Sequence, residues 1–428
     1  MAPIEDHPLR YSLANELHAR PFPVLAAPSR AAYLAIKPER DAAARDREAD
    51  RKHLIALLDR FGAPHPQPGA THYFGDIGRH RLKWESHTEF VTYTIFADGV
   101  AERPFDATTF GVFPEDWLKD APGVRITSAL VRIEEVSDHK SIPAKLDDWF
   151  VAESLATSRV LDGDAIIAGD FRIDEAGHAR FAVFAEPTTD SRRVGRVVQR
   201  LCEIETYKAM SMLGLARVRA MGKEMGDVDQ TLTRLMGDMA EDSVAPDETL
   251  ASLLNISSEL ENMIALSAFR FGATGAYEAI VNQRIEVLRE TRFEGRQTFG
   301  EFMMRRFDPA MRTVKATEGR LHAMSERATR AGNLLRTRVD VERSAQNQDL
   351  LESMDKRSDL QLRLQKTVEG LSVVAISYYA VNLATYVLGP VGQEIGVPEL
   401  IVTALATPIV ILLVYVLVRR IRRSMERE

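Results

Sequence analysis

The chain has 428 residues, with 55 Lys and Arg against 62 Asp and Glu, a formal charge of -7 and one cysteine. That balance excludes the basic surface a nucleic-acid partner needs, and a lone cysteine excludes an intrachain disulfide, in keeping with a reducing compartment. The length suffices for two or three domains, each burying its own core.

In chain order, residues 1–190 read as a cytoplasmic α/β domain. The first 25 residues show no basic start followed by an apolar run, so no cleaved secretory signal is expected. The apolar run 31–36 predicts a buried strand, and 41–61 carries Ala44, Leu54, Leu57, Leu58 and Phe61 at mostly helical spacing. Strands are expected over 89–96 and 125–133, a helix over 145–161, and a hairpin from 165–171 and 179–184 about the turn 174–178.

From Ser191 the β signals stop, and 191–307 reads as a helical subdomain: helices over 191–221, 227–240 and 249–271, broken at Gly222, Gly226 and Pro246, then helix through 276–307. Asp308 and Pro309 supply an N-cap oxygen and a proline that has no N–H to lose, so a new helix begins there. No proline follows until Pro390. A stalk helix over 308–370 is expected to run straight into the next segment. Within it Val314, Leu321, Met324, Ala328, Ala331 and Leu335 keep the three-four spacing of a packed face.

Two uncharged apolar stretches, 371–388 and 400–418, form a C-terminal hairpin, followed by a basic tail, 419–428. At ~1.5 Å rise per residue each nearly matches the ~30 Å hydrocarbon core of a bilayer. Lys356, Arg357, Arg363 and Lys366 precede the first stretch and Arg419, Arg420, Arg422 and Arg423 follow the second, while the connection holds only Glu394 and Glu399. By the positive-inside rule both termini are cytoplasmic and the protein resides in the inner membrane.

This order of elements, with Val397-Pro398-Glu399-Leu400 before the second span, resembles the CorA-type divalent-cation channel superfamily. The resemblance covers mainly 309–428 and implies a pentamer whose first spans line a pore. Where that superfamily ends its first span with Gly-Met-Asn or a Gly-x-Asn variant, this chain has Tyr386-Val387-Leu388-Gly389-Pro390. The likeness therefore implies architecture and not magnesium selectivity. Asn15-Glu16-Leu17-His18-Ala19-Arg20-Pro21-Phe22, with Trp84-Glu85-Ser86-His87-Thr88-Glu89-Phe90, is also similar to a bacterial family of membrane-anchored proteins of unknown function. That likeness implies membrane residence and assigns no activity.

On a helix Tyr378, Asn382, Thr385 and Gly389, with Tyr386 beside them, form a polar stripe, which in hydrocarbon must face protein or water. Two readings follow: a pore lined by copies of span one, or interhelical hydrogen bonds that only hold helices together. Glu394 and Glu399 would ring the outer mouth in an oligomer and attract a divalent cation. Glu16, His18, His87 and Glu89 have metal-ligand chemistry, with His87 and Glu89 expected on one face of a strand. Phosphate-loop, nucleophile-elbow, dinucleotide and zinc-protease motifs are missing, so no enzyme is expected. The sequence thus points to an oligomeric, CorA-like membrane protein mediating or regulating cation movement, or to a non-conducting scaffold or sensor of the same build.

Overall fold

The computed structural model describes residues 4–16, 22–40, 42–241, 245–396 and 398–425. The chain divides into two compact units, one of residues 1–244 and 251–331, the other of residues 245–250 and 332–428.

In the first unit, helix α1 (Arg10–Glu16) precedes strand β1 (Ser29–Lys37), helix α2 (Arg47–Arg60), and strands β2 (His72–Ile77), β3 (His80–Ser86) and β4 (Val91–Asp98). Then come α3 (Glu115–Lys119), β5 (Val124–Glu135), α4 (Ile142–Trp149), β6 (Ala156–Val160), β7 (Ala165–Ile173) and β8 (Ala179–Ala185). The two-residue β9 (Thr291–Arg292) completes one nine-stranded sheet ordered β2-β3-β4-β1-β5-β8-β7-β6-β9. Every pairing is antiparallel except β5 with β8. The sheet is mixed because β5-α4-β6 returns its chain in the same direction, whereas β1-α2-β2 reverses it.

Successive side chains of a strand point to opposite faces, and β1 buries both. Ala31, Tyr33 and Ala35 join one core with Val194, Val198 and Leu201, while Ala32, Leu34 and Ile36 join another with Leu54, Leu58 and Trp117. A third cluster sets Ile142, Leu146 and Trp149 against Ile166, Ala168 and Phe184. The sheet is thus covered on both sides, and its central strands read as continuous apolar runs.

Long helices follow: α5 (Ser191–Glu241), α6 (Pro246–Glu286), α7 (Phe299–Arg306), α8 (Asp308–Glu394) and α9 (Glu399–Met425). Gly222 and Gly226 do not break α5. Each glycine costs ~0.5–1 kcal/mol in a helix, a loss outweighed by burying Met221, Met225, Val228 and Leu232 along one side. The helix expected over 276–307 stops instead at Glu286, and the chain adds β9 to the sheet before α7 starts with a Thr298/Glu301 capping box. The helix expected over 145–161 is also corrected. It ends at Trp149, and 156–160 is strand β6, recruited by pairing with β7 and β9. The hairpin about 174–178 forms as the sequence reads, as do strands near 31–36, 89–96 and 125–133.

Helix α8 spans 87 residues and starts at Asp308. Val314, Leu321, Met324, Ala328 and Ala331 are all buried in the first unit, and Leu335 in the second. Pro390 lies inside α8, so the connection to α9 is shorter than the sequence suggests and turns at Gly396, whose φ of 77° suits glycine. Two helices, α8 and α9, contain stretches long and apolar enough to cross a membrane.

Candidate functional sites in the hairpin and at the β3–β4 turn

The apolar segments of α8 and α9 expose most of their large side chains, among them Leu371, Val374, Leu383, Leu400, Leu405 and Leu412. In water this would be a large unpaired apolar surface, and only lipid or another chain relieves it. The stripe on α8 divides. Gly389 is buried and Thr385 half-buried, its Oγ1 donating to the Val381 carbonyl at 3.0 Å. Tyr378, Asn382 and Tyr386 are exposed, Tyr386 by 82%. Tyr379, off the stripe, is exposed as well, so the single chain leaves one amide and three phenols of this span without cover. Ser377, which the sequence reading passed over, is buried, and its hydroxyl has no hydrogen-bond partner among the described residues.

Glu394 is the last residue of α8 and is exposed, and Glu399 opens α9. The Glu399 side chain and Val397 lie outside the described residues, as do His18 and the side chain of Glu16.

His87 and Glu89 do not share a strand face, which corrects the expectation. Both lie in the turn between β3 and β4, because pairing of Ser86 with Val91 closes the hairpin there. Two arginines lock this turn. From one side the Arg45 guanidinium donates to the carbonyls of His87 (2.6 Å), Thr88 and Phe90 (3.2 Å) while pairing with Asp50 at 2.7 Å. From the other, α6 brings Arg270 onto both carboxylate oxygens of Glu89, and the Tyr277 hydroxyl donates to Glu89 Oε1 at 2.9 Å. Glu89 is completely buried. Burial, with the adjacent Glu89 charge, pushes the Tyr277 phenol well above its ordinary range.

Glu89 is therefore held by a cation and a phenol within the chain, and His87 stacks on Phe90 with ring centroids 4.4 Å apart. Both make these contacts within the chain. Among the described residues no group of three or more His, Cys, Asp or Glu is arranged to hold a metal. Sequence reasoning picked out Glu89 but missed its partners, since Arg270 and Tyr277 are 181 and 188 positions away and no local spacing signals them.

Beside the turn, a chain of polar groups crosses from the sheet to α5. Lys83 donates to Gln199 at 2.7 Å and pairs with Glu85 at 3.2 Å, Gln199 donates to Glu203 at 2.7 Å, and Arg284 closes on Glu203. Cys202 lies on the same side of α5, and burial pushes its thiol far above the ordinary value, so it is unreactive.

A mixed-sheet N-terminal domain, long helices and a C-terminal pair of apolar helices define the class of protein. The chain belongs to the family described as "Protein of unknown function (DUF3422)", which matches residues 5–425. Comparison with curated proteins and with solved structures finds no match.

Proposed function

We propose that this protein is an integral inner-membrane homo-oligomer with cytoplasmic termini, in which first spans face one another and provide a path for cations. The observation that carries this reading is the exposure of Tyr378, Asn382 and Tyr386 along one stripe of α8 in a segment without charged side chains. An uncovered amide in hydrocarbon costs several kcal/mol, so the stripe needs protein or water beside it, and a second copy of span one supplies either. The order of elements, from sheet domain through long helices to a two-span hairpin, supports the likeness to CorA-type channels. Basic residues on both flanks of the hairpin support the orientation.

A second reading, a non-conducting scaffold on the same architecture, is favoured by one observation: Tyr386-Val387-Leu388-Gly389-Pro390 stands where those channels carry their cation-binding motif. Ion flux into proteoliposomes separates the two. Conduction predicts flux in the parent and its loss in Asn382→Leu, with the oligomer retained by native mass spectrometry. Absence of flux in the parent rejects the channel and leaves the scaffold.

A further inference from the structure

At the basic end of the hairpin, α8 and α9 enclose a cleft of about 450 Å³. Its rim holds Lys366 and Arg419, and its wall is formed by Val373, Val418 and Tyr415. Lys366 lies five positions before Leu371, where the apolar run begins, and Arg419 directly follows Val418, where the second run ends. Gly370 borders the cleft, and a Cβ added there would face open space.

Among the described residues neither Lys366 nor Arg419 has a carboxylate partner, although ion pairs such as Glu352–Lys356 and Asp359–Arg363 occupy the neighbouring turns of α8. Glu369 also lines the cleft but already interacts with another group. Among the described residues two cations without a carboxylate partner thus stand beside Val373 and Val418, with Glu369 in the same lining and a tyrosine of the kind enriched at membrane interfaces.

We propose that this cleft binds an anionic phospholipid, its phosphate held between Lys366 and Arg419 and its acyl chain laid along Val373 and Val418. The inference rests on the reading that the hairpin crosses a bilayer. Basic pockets between spans on the cytoplasmic side attract anionic headgroups, and the apolar wall distinguishes a lipid from a free phosphate ion.

The test uses the full chain in neutral detergent, with bound lipid counted by native mass spectrometry during titration with phosphatidylglycerol, phosphatidylcholine or inorganic phosphate. Phosphatidylglycerol is expected to be retained, with affinity falling about thirty-fold in the double variant Lys366→Gln/Arg419→Gln and preserved in Lys366→Arg/Arg419→Lys. Equal retention of the two lipids, or an unchanged double variant, overturns the proposal, and inorganic phosphate binding as tightly as phosphatidylglycerol overturns the lipid assignment. Resistance of the parent to carbonate extraction from membranes is scored separately. A chain that extracts fails as a spanning protein, whereas one that resists extraction yet shows no lipid preference fails only here.

Discussion

The β3–β4 turn and the first apolar span treat polar groups in opposite ways. In the turn, the Glu89 carboxylate and the Arg45 guanidinium are buried and each is matched by donors or acceptors from elsewhere in the same chain. In the span, Asn382, Tyr378 and Tyr386 are left exposed among leucines and valines. The sheet domain is completed by one chain. In the span Tyr378, Asn382 and Tyr386 stay uncovered among the described residues, and the proposed function rests on that difference.

The contrast breaks most sharply at Glu89. Removing one partner of a buried pair leaves the other charge uncompensated, so Glu89→Ala should destabilise the sheet domain by about 3–5 kcal/mol. A thermal-unfolding midpoint far below that of the parent is expected, whereas Asn382→Leu should leave that transition in place. Equal effects from the two changes would erase the distinction between a self-sufficient turn and an incomplete span.

A smaller effect sharpens the same point through pH. His53 stacks on Trp117 at 3.9 Å, its ring nitrogens lie 3.0 Å from the Tyr93 hydroxyl and 2.9 Å from the Trp117 carbonyl, and burial lowers its pKa below the ordinary 6.5. Burial depresses His178 likewise. At His53 and His178 the unfolded chain therefore binds more protons than the folded one below about pH 6.5, and the stability these two groups contribute falls as pH decreases toward their depressed folded values, opposed by Asp50 and Glu290, whose carboxyls burial raises. Urea midpoints at pH 7.5 and 5.5 should differ in that direction, with a smaller difference in His53→Gln. A pH difference as large in His53→Gln as in the parent would contradict the buried, neutral imidazole.

Periodicity made much of this legible. The apolar run 31–36, the turn-flanked hairpin about 174–178 and the three-four spacing from Val314 to Leu335 are each reproduced by the structure, the first and last as buried side chains. The hairpin β2–β3 was not legible, because β2 is an edge strand with exposed Phe74 and a glycine at position 75, so its pattern lacks clean alternation. Strand β6 lay inside the helix expected over 145–161, and its pairing with β7 and β9 decides it. At the candidate sites, the stripe of span one was visible as spacing, while its division into buried Gly389 and exposed Asn382 depends on how the chain packs. The Glu89–Arg270 pair joins residues too far apart in sequence for any local pattern to announce.

Cross-linking in membranes tests the central claim most directly, and the buried, unreactive Cys202 gives it a quiet background. Asn382→Cys and Tyr378→Cys, each oxidised as a separate variant in native vesicles, should yield a covalent dimer of the full chain, since each variant offers one accessible thiol, while Leu412→Cys on exposed α9 should remain monomeric. Cross-linking at Leu412→Cys with none at Asn382→Cys would show that copies do not meet along the first span and would contradict the account.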